Sequence, residues 1–309
     1  MIYSRLLKSF DKIRPQREDD NKIMCSNQQD HLFFTTIKRQ KYGVAVFMLL
    51  CSYLIGSAQC ISVNQSFQSG EKVMYNAYYN WHFIWLNAGE VTFEVQHKTY
   101  QNKKVLKLSS IGSTFKNYDF FYKVRDTFEA YVDTLSLLPY LANRRSNEGG
   151  SSVYETYRFD RDNKVIRAII KNEESEDFIY PDIIWKDCTY DLISMVYAAR
   201  NIDFGKYRTN DKIPIRMAVD GNIYDLYIRY LGKETITTRD DRTFRCLKFS
   251  PLLMEGTIFK SGEDMTVWVT DDMNHLPIIV EAKILIGSVK AILSTADGLR
   301  YPLLSEIIE

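Results

Sequence analysis

Between Glu71 and Leu285 the chain alternates apolar and polar residues with period two, and only one stretch keeps a helical period instead. Many strands with a single helix cannot build alternating β-α units. Strand-like runs at about 8–12-residue intervals indicate a sandwich or a barrel. Glu71–Trp81 sets Val73, Tyr75, Ala77, Tyr79 and Trp81 on one face. Ile213–Tyr230 reads as a hairpin turning at Asp220-Gly221, a preferred two-residue turn. Glu90–His97, Val105–Ile111, Lys123–Asp133, the segment opened by Pro139, Val153–Phe159 and Val165–Ile170 are further strands, as are Thr243–Phe249, Met265–Thr270 and Ile278–Leu285. Leu86-Asn87-Ala88-Gly89 reads as a turn, and residues 113–121 as a short helix or an aromatic loop.

The exception runs from Trp185 to Gly205. Leu192, Ile193, Val196 and Ala199 recur at helical spacing, Asp191 falls in the first turn and Arg200 in the last. Thr189 is placed to cap the start. A lone helix must lay its apolar side on a sheet or plug a barrel end. The expectation is an all-β fold with one central helix: a bent antiparallel sheet or incomplete β-barrel packed on a 189–201 helix, with Ile193, Val196 and Ala199 buried.

Charge and hydropathy divide the chain. Residues 1–58 hold nine basic and five acidic side chains, and the rest holds 31 and 34. A mildly acidic body gives no reason to expect nucleic-acid binding. Val44–Ala58 is an uncharged apolar run behind Lys38, Arg39 and Lys41, and Gly56-x-Ala58 places small residues where a signal peptidase reads. At about 15 residues it is shorter than the roughly 20 that span a bilayer. The expected organisation is a disordered or mis-assigned extension over 1–41, with Met24 a candidate start, a signal peptide over 42–58, and one β-rich domain over 59–309. Cleavage after Ala58 leaves no integral membrane span and an exported protein. An uncleaved anchor and a lipidated Cys60 are the alternatives; Gln59 precedes Cys60 where lipoprotein signals want a small residue.

Cys60, Cys188 and Cys246 remain in the mature chain. Cys188 and Cys246 are the disulfide candidate, because both lie inside structured segments, and two buried thiols are the alternative. No metal site is expected: His82, His97 and His275 lie far apart, with no H-E-x-x-H and no paired C-x-x-C. No G-x-S-x-G elbow, Walker loop or dinucleotide G-x-G-x-x-G occurs either, so no cofactor is expected. A carboxylate pair assembled by the fold is not visible at this level.

Three features could bind a ligand. Tyr79, Trp81 and Trp85 belong to an aromatic cluster that could meet a lipid or a sugar, although aromatics also fill barrel cores. Asp191 with Ser194, and Tyr197 with Arg200, are helix neighbours three apart, able to line a cavity or to form bonds inside the fold. Arg145, in Arg144-Arg145-x-x-Glu148-Gly149-Gly150, and Arg200 could hold an anionic end.

Read in order, Gly70-Glu71…Tyr75, Ala88-Gly89, Tyr122-x-Val124-x-Asp126-x-Phe128, Glu148-Gly149-Gly150, Asp191-x-x-Ser194-x-x-Tyr197-x-x-Arg200, Phe244-x-Cys246-x-Lys248-x-x-Pro251 and Trp268-x-Thr270-x-Asp272 resemble the family called domain of unknown function 3108, over roughly residues 68–295. The resemblance implies a β-rich exported protein of the Gram-negative cell envelope, in the periplasm or associated with the outer membrane, similar in fold to the open half-barrels of lipoprotein carriers, and brings no catalytic residues. The leading expectation is a non-enzymatic envelope protein that binds or carries an apolar or amphipathic ligand, a lipid or glycan. It would hold this ligand in a cavity walled by Trp81 or Trp85 and the helix. The alternatives are a carboxylate-dependent enzyme acting on envelope glycans and a scaffold pairing its sheet edge with a partner protein.

Overall fold

The period-two runs form strands. The computed structural model describes residues 60, 63–81, 84–172, 177–253, 262–284 and 287–308, without the side chains of 81 and 84. The expected extension, signal peptide and Ala58 cleavage site, with Met24, Cys25 and Cys51, lie outside the described residues. The described residues lie in one compact unit, Gly56–Glu309.

The first eight strands are β1 (Lys72–Trp81), β2 (Ile84–Tyr100), β3 (Lys103–Thr114), β4 (Arg125–Asp133), β5 (Pro139–Glu148), β6 (Ser151–Asp160), β7 (Val165–Lys171) and β8 (Asp182–Ile184). Helix α1 (Leu192–Ala199) follows. Then come β9 (Lys212–Val219), β10 (Asn222–Thr237), β11 (Thr243–Pro251), β12 (Met265–Thr270), β13 (Pro277–Lys283), β14 (Ser288–Asp297) and β15 (Glu306–Ile307). One antiparallel sheet holds them all. Strands β1 to β8 lie side by side in chain order, as do β9 to β14, and the two runs join where β1 pairs β14; β15 adds to β11. Leu86–Gly89 is not the expected turn. It lies inside β2, where a bulge leaves Ala88 unpaired between the Ala77–Gly89 and Tyr78–Asn87 partners. Glycine is required there because a Cβ at Gly89 would stand 2.3 Å from the Ser113 carbonyl oxygen.

The sheet bends round α1, which packs on β3 and β4 in one run and on β9 in the other. It does not close: β8 and β9 end the strand order without pairing. Other groups bridge the seam. The Tyr190 amide donates to the Arg216 carbonyl (3.1 Å), and the Tyr190 carbonyl accepts from Ala218 (2.8 Å). At the tip of the β9–β10 hairpin, the Asp220 amide donates to Glu155 Oε1 (2.8 Å) and the Gly221 amide to Tyr157 Oη (2.9 Å). The fold is the expected bent, incomplete barrel.

The helix runs over 192–199 rather than 189–201, and its cap is Asp191, not Thr189. Asp191 Oδ1 accepts the Ile193 and Ser194 amides, and Ser194 Oγ accepts the Asp191 amide, a reciprocal capping box. Thr189 Oγ1 instead donates to the Lys186 carbonyl. Its buried face also differs from expectation. Ile193, Ser194, Tyr197 and Ala198 are buried, whereas Val196 is 42% exposed, Leu192 38% exposed and Ala199 only half-buried. The stripe Asp191, Ser194, Tyr197, Arg200 faces inward because Arg200 has a partner there. Its guanidinium forms a buried pair with Glu71, through Nη1 to Oε1 and through Nη2 to Oε2 at 3.0 Å. Its Nε donates to the Asn274 carbonyl at 3.0 Å. Phe67 and Tyr197 stack beneath the cation at 5.3 and 5.6 Å. Turning Arg200 outward would strand the buried Glu71 carboxylate at a cost of about 3–5 kcal/mol, more than the ~1.5–3 kcal/mol from burying one medium apolar side chain.

Cys188 pairs with Cys60, not with Cys246; the Cα atoms of Cys60 and Cys188 are 5.0 Å apart. Cys246 points into the second apolar cluster, among Val73, Tyr75, Phe244, Leu276, Ile278 and Leu293, and is a buried free thiol. A sulfur held in a disulfide is not available for a thioether-linked lipid.

Candidate functional site

Alternation assigns each side chain to a face. Ala130 and Val132 of β4, Ala142 of β5 and Tyr157 of β6 belong to the core that surrounds α1. Stepping two residues at a time from them along the strands leads to Asp126 and Phe128, to Arg144, Ser146 and Glu148, and to Glu155 on the same concave face. Here the trough turns polar, at the end opposite the core.

Ser146 Oγ lies 2.7 Å from Asp126 Oδ1 and 3.0 Å from Glu148 Oε1, and the Asn147 amide donates to Asp126 at 3.2 Å. A hydroxyl has one hydrogen to give. Both contacts are hydrogen bonds only if one carboxyl keeps its proton. Burial raises the Asp126 pKa above the usual carboxylate range. Burial first and the Asp126 charge second raise that of Glu148. Two raised carboxyls bridged by one hydroxyl therefore hold a proton as a pair. Glu155, also pushed up by burial, accepts from Tyr157 Oη at 2.7 Å and sits 3.4 Å from Arg144 Nη1. The same Arg144 nitrogen is 3.4 Å from Asp220, and Arg144 Nε is buried without a partner among the described residues.

An aromatic rim borders this end. After β3 the chain makes a single 3-10 turn over Lys116–Tyr118 and displays Phe115, Phe120, Phe121 and Tyr122. Phe120 is 88% exposed and Phe121 53%. The backbone beneath them is tied down. The Phe115 amide donates to Ala88 (2.8 Å), Phe121 to Tyr118 (2.9 Å) and Gly149 to Lys123 (2.9 Å). Asp119 accepts from Thr114 Oγ1 at 2.9 Å and pairs with Arg125 at 2.7 Å. Gly149, at φ +61°, lets the Tyr122 ring close onto the turn; a Cβ there would meet the ring at 2.4 Å. Lys116 and Lys123 flank the rings and are exposed.

The sequence-predicted site residues do not form one site. Tyr79 joins the rim, its ring 6.1 Å from Phe121. Trp85 is half-buried one strand away, beneath Lys290 at 4.8 Å. Trp81 has no described side chain. Arg145 is exposed on the opposite face of β5, over the Tyr154 ring at 5.6 Å. Tyr197 and Arg200 lie together, buried in the core, with Arg200 committed to Glu71. Neither lines the cleft found among the described residues. Rings fill the space between sheet and helix: Phe67 and Phe93 stand 4.7 and 6.4 Å from Tyr197. A cleft of about 330 Å³ does exist, but neither Trp85 nor α1 lines it. Sequence reasoning missed the meeting of Asp126 with Glu148 and the display of Phe120. The first was readable as the register of neighbouring strands, the second as a run of aromatics between strands.

Among the described residues no group of His, Cys, Asp and Glu could hold a metal ion, and no helix is long and apolar enough to cross a membrane. A family profile described as "Protein of unknown function (DUF3108)" matches residues 74–294. No curated protein matches the chain. A crystal structure of a beta-barrel-like protein of domain of unknown function DUF1849 from Brucella abortus is similar, with 7% identity, 76% of this chain and 98% of that chain covered, and a TM-score of 0.49.

Proposed function

We propose, from the premise that this chain belongs to the DUF3108 family, that it is an exported, non-enzymatic cell-envelope protein that engages an amphipathic lipid at the rim of its trough. The carrying observation is the exposure of Phe120 and Phe121 on a tied-down loop. Contiguous exposed aromatic surface is uncommon on a monomer unless it meets a partner. The rings suit the acyl region, and Lys116 and Lys123 suit an anionic headgroup. Export is supported by the short apolar run before Gly56-x-Ala58, and an oxidising compartment by the Cys60–Cys188 disulfide.

The test is co-sedimentation with vesicles of phosphatidylglycerol and of phosphatidylcholine. The parent should bind the anionic vesicles more tightly. Burying one phenylalanine ring is worth about 1.5–3 kcal/mol, so Phe120→Ser should weaken binding by roughly 10- to 100-fold without changing the melting temperature. A parent that ignores both vesicles, or a Phe120→Ser variant that binds like the parent, refutes the reading.

Asp126 and Glu148 favour a second reading, an enzyme acting on envelope glycans. Bridged by one hydroxyl, they lie closer than the ~6.5–9.5 Å of inverting glycosidases, and burial raises both carboxyls, the direction a general acid needs. A panel of aryl glycosides tests it. Turnover lost in both Asp126→Asn and Glu148→Gln supports the enzyme, and no turnover by the parent discards it.

A further inference from the structure

Away from that rim, the far ends of β2, β5 and β6 enclose the cleft of about 330 Å³, with a wall of Tyr100, Lys103, Tyr140, Arg158, Asp160 and Arg161 among others. We propose that this cleft binds an anionic saccharide, a sugar carrying a carboxylate or phosphate.

The floor is built. The Arg161 guanidinium lies 4.3 Å above the Tyr140 ring, and its Nη2 donates to the Leu138 carbonyl at 2.7 Å. Trp185 stands 5.8 Å away on the other side. Arg161 Nε is buried with no hydrogen-bond partner among the described residues, which leaves a cation in the floor that they do not fully satisfy. Tyr140 is itself fixed, its Oη donating to Asp133 at 3.3 Å. Tyr100 continues the platform, 6.5 Å from Tyr140 and 5.5 Å from Tyr131, with its ring tilted by about 30° to each. Such rings offer an apolar surface to the C–H face of a sugar.

The rim supplies the charge. Arg158 is exposed and makes no hydrogen bond or ion pair among the described residues. Lys103 rests against the Tyr140 face at 5.1 Å and makes no ion pair among the described residues. Arg167 is different: it spends its charge on Asp160 at 2.6 Å. Asp160 is held down to about 2 by its bonds to Asn163 and Arg167, so it stays an acceptor at any physiological pH. Two free cations beside a half-satisfied Arg161 call for an anion. Two carboxylates, Asp160 and Asp162, offer acceptors for hydroxyls. A bare anion would leave those acceptors and the rings unused, and a neutral sugar would leave the cations unused. The volume sits at the lower end of the range for ligand pockets, enough for one or two rings, and the charged rim does not suit an acyl chain.

Calorimetry of the exported protein, with glucuronate, glucose 6-phosphate, glucose and inorganic phosphate as probes, tests the assignment. Glucuronate or glucose 6-phosphate should bind at least 10-fold more tightly than glucose and than phosphate. Arg158→Gln and Lys103→Gln sit at the exposed rim and should keep the parent melting curve while each weakens binding at least 5-fold. Vesicles carrying a glucuronosyl diacylglycerol, competed with free glucuronate, separate a lipid-borne sugar from a soluble one, and binding of either supports the site. No binding of any acidic sugar at millimolar concentration, equal binding of glucose and glucuronate, or rim variants that bind like the parent overturns it. Phe120→Ser should leave this binding unchanged, so the two sites fail separately.

Discussion

Replacing Glu71 by Gln puts the sharpest demand on the fold as described. The change keeps the shape and removes one charge. Arg200 would then lie fully buried with carbonyls and a neutral amide around it, having lost its counter-ion. Removing one partner of a buried pair costs about 3–5 kcal/mol. For a domain of this size about 1 kcal/mol moves the melting temperature by ~2–4 °C, so Glu71→Gln should melt roughly 6–20 °C below the parent. Against a total stability of about 5–15 kcal/mol that is a large share. Arg200→Met alone should cost as much, because Glu71 is then the stranded ion. The double variant Glu71→Leu with Arg200→Met should recover most of the loss, since an apolar pair needs no counter-charge. Urea unfolding followed by tryptophan fluorescence measures all four proteins. Single variants within about 0.5 kcal/mol of the parent, or a double variant as unstable as the sum of the singles, would refute the argument that this pair turns the polar stripe of α1 inward.

Val196→Asp should be nearly silent, within about 0.5 kcal/mol, because Val196 faces water, whereas Ala198→Asp places a carboxylate in the core and should cost several kcal/mol; thermal melts compare them. Non-reducing peptide mapping should recover Cys60 linked to Cys188 across a sequence separation of 128, and Cys60→Ser should lose about 5 kcal/mol, the chain-entropy value for a loop of that length. Cys246, whose thiol burial pushes up to about 12, should resist alkylation until the protein unfolds. Asp191 is an acid raised to about 6 by burial, so the native state holds its proton more tightly than the unfolded chain does. Its penalty grows as pH rises from about 4 to 6 and is constant above, and stability followed by urea titration across that window should fall less steeply in Asp191→Asn. For Glu148 the sign is the same, and Glu148→Gln should flatten the decline in stability above the ordinary carboxylate range.

Most strands were legible because their signal is local, although β8, β14 and β15 were not among those expected. Tyr224, Leu226, Ile228 and Tyr230 alternate within β10, and Asp220-Gly221 turns where its backbone requires positive φ at both residues. The existence of α1 was equally local. Its orientation was not, because Glu71 lies 129 residues from Arg200 and periodicity carries no trace of it. Leu86–Gly89 misled for a related reason: a glycine that permits close backbone approach inside a bulge looks, in one dimension, like a glycine in a turn. The cysteine pairing failed because a structured segment says nothing about which segment lies beside it. The Asp126–Glu148 pair was half-legible. Pairing Lys123–Asp133 with the segment after Pro139 places Asp126 beside Ser146, but the shared proton comes from burial that only the folded trough supplies.

The joining of β1 to β14 sets the order in which this molecule can form. Strands β1–β8 pair with sequence neighbours and can zip as successive hairpins, and β9–β14 can do the same. The seam between the halves needs Tyr75 beside Leu293, the opening of the chain beside its last long strand. Until β14 has emerged, β1 keeps a ten-residue edge with unpaired amides and carbonyls, a template for any other extended chain. Late, long-range pairing of this kind is slow and exposed to aggregation. A chain truncated before Ser288 should therefore collapse into two half-sheets and associate with its own kind rather than remain a smaller monomer. Escort by a holdase until the last strand arrives is the assistance its topology calls for.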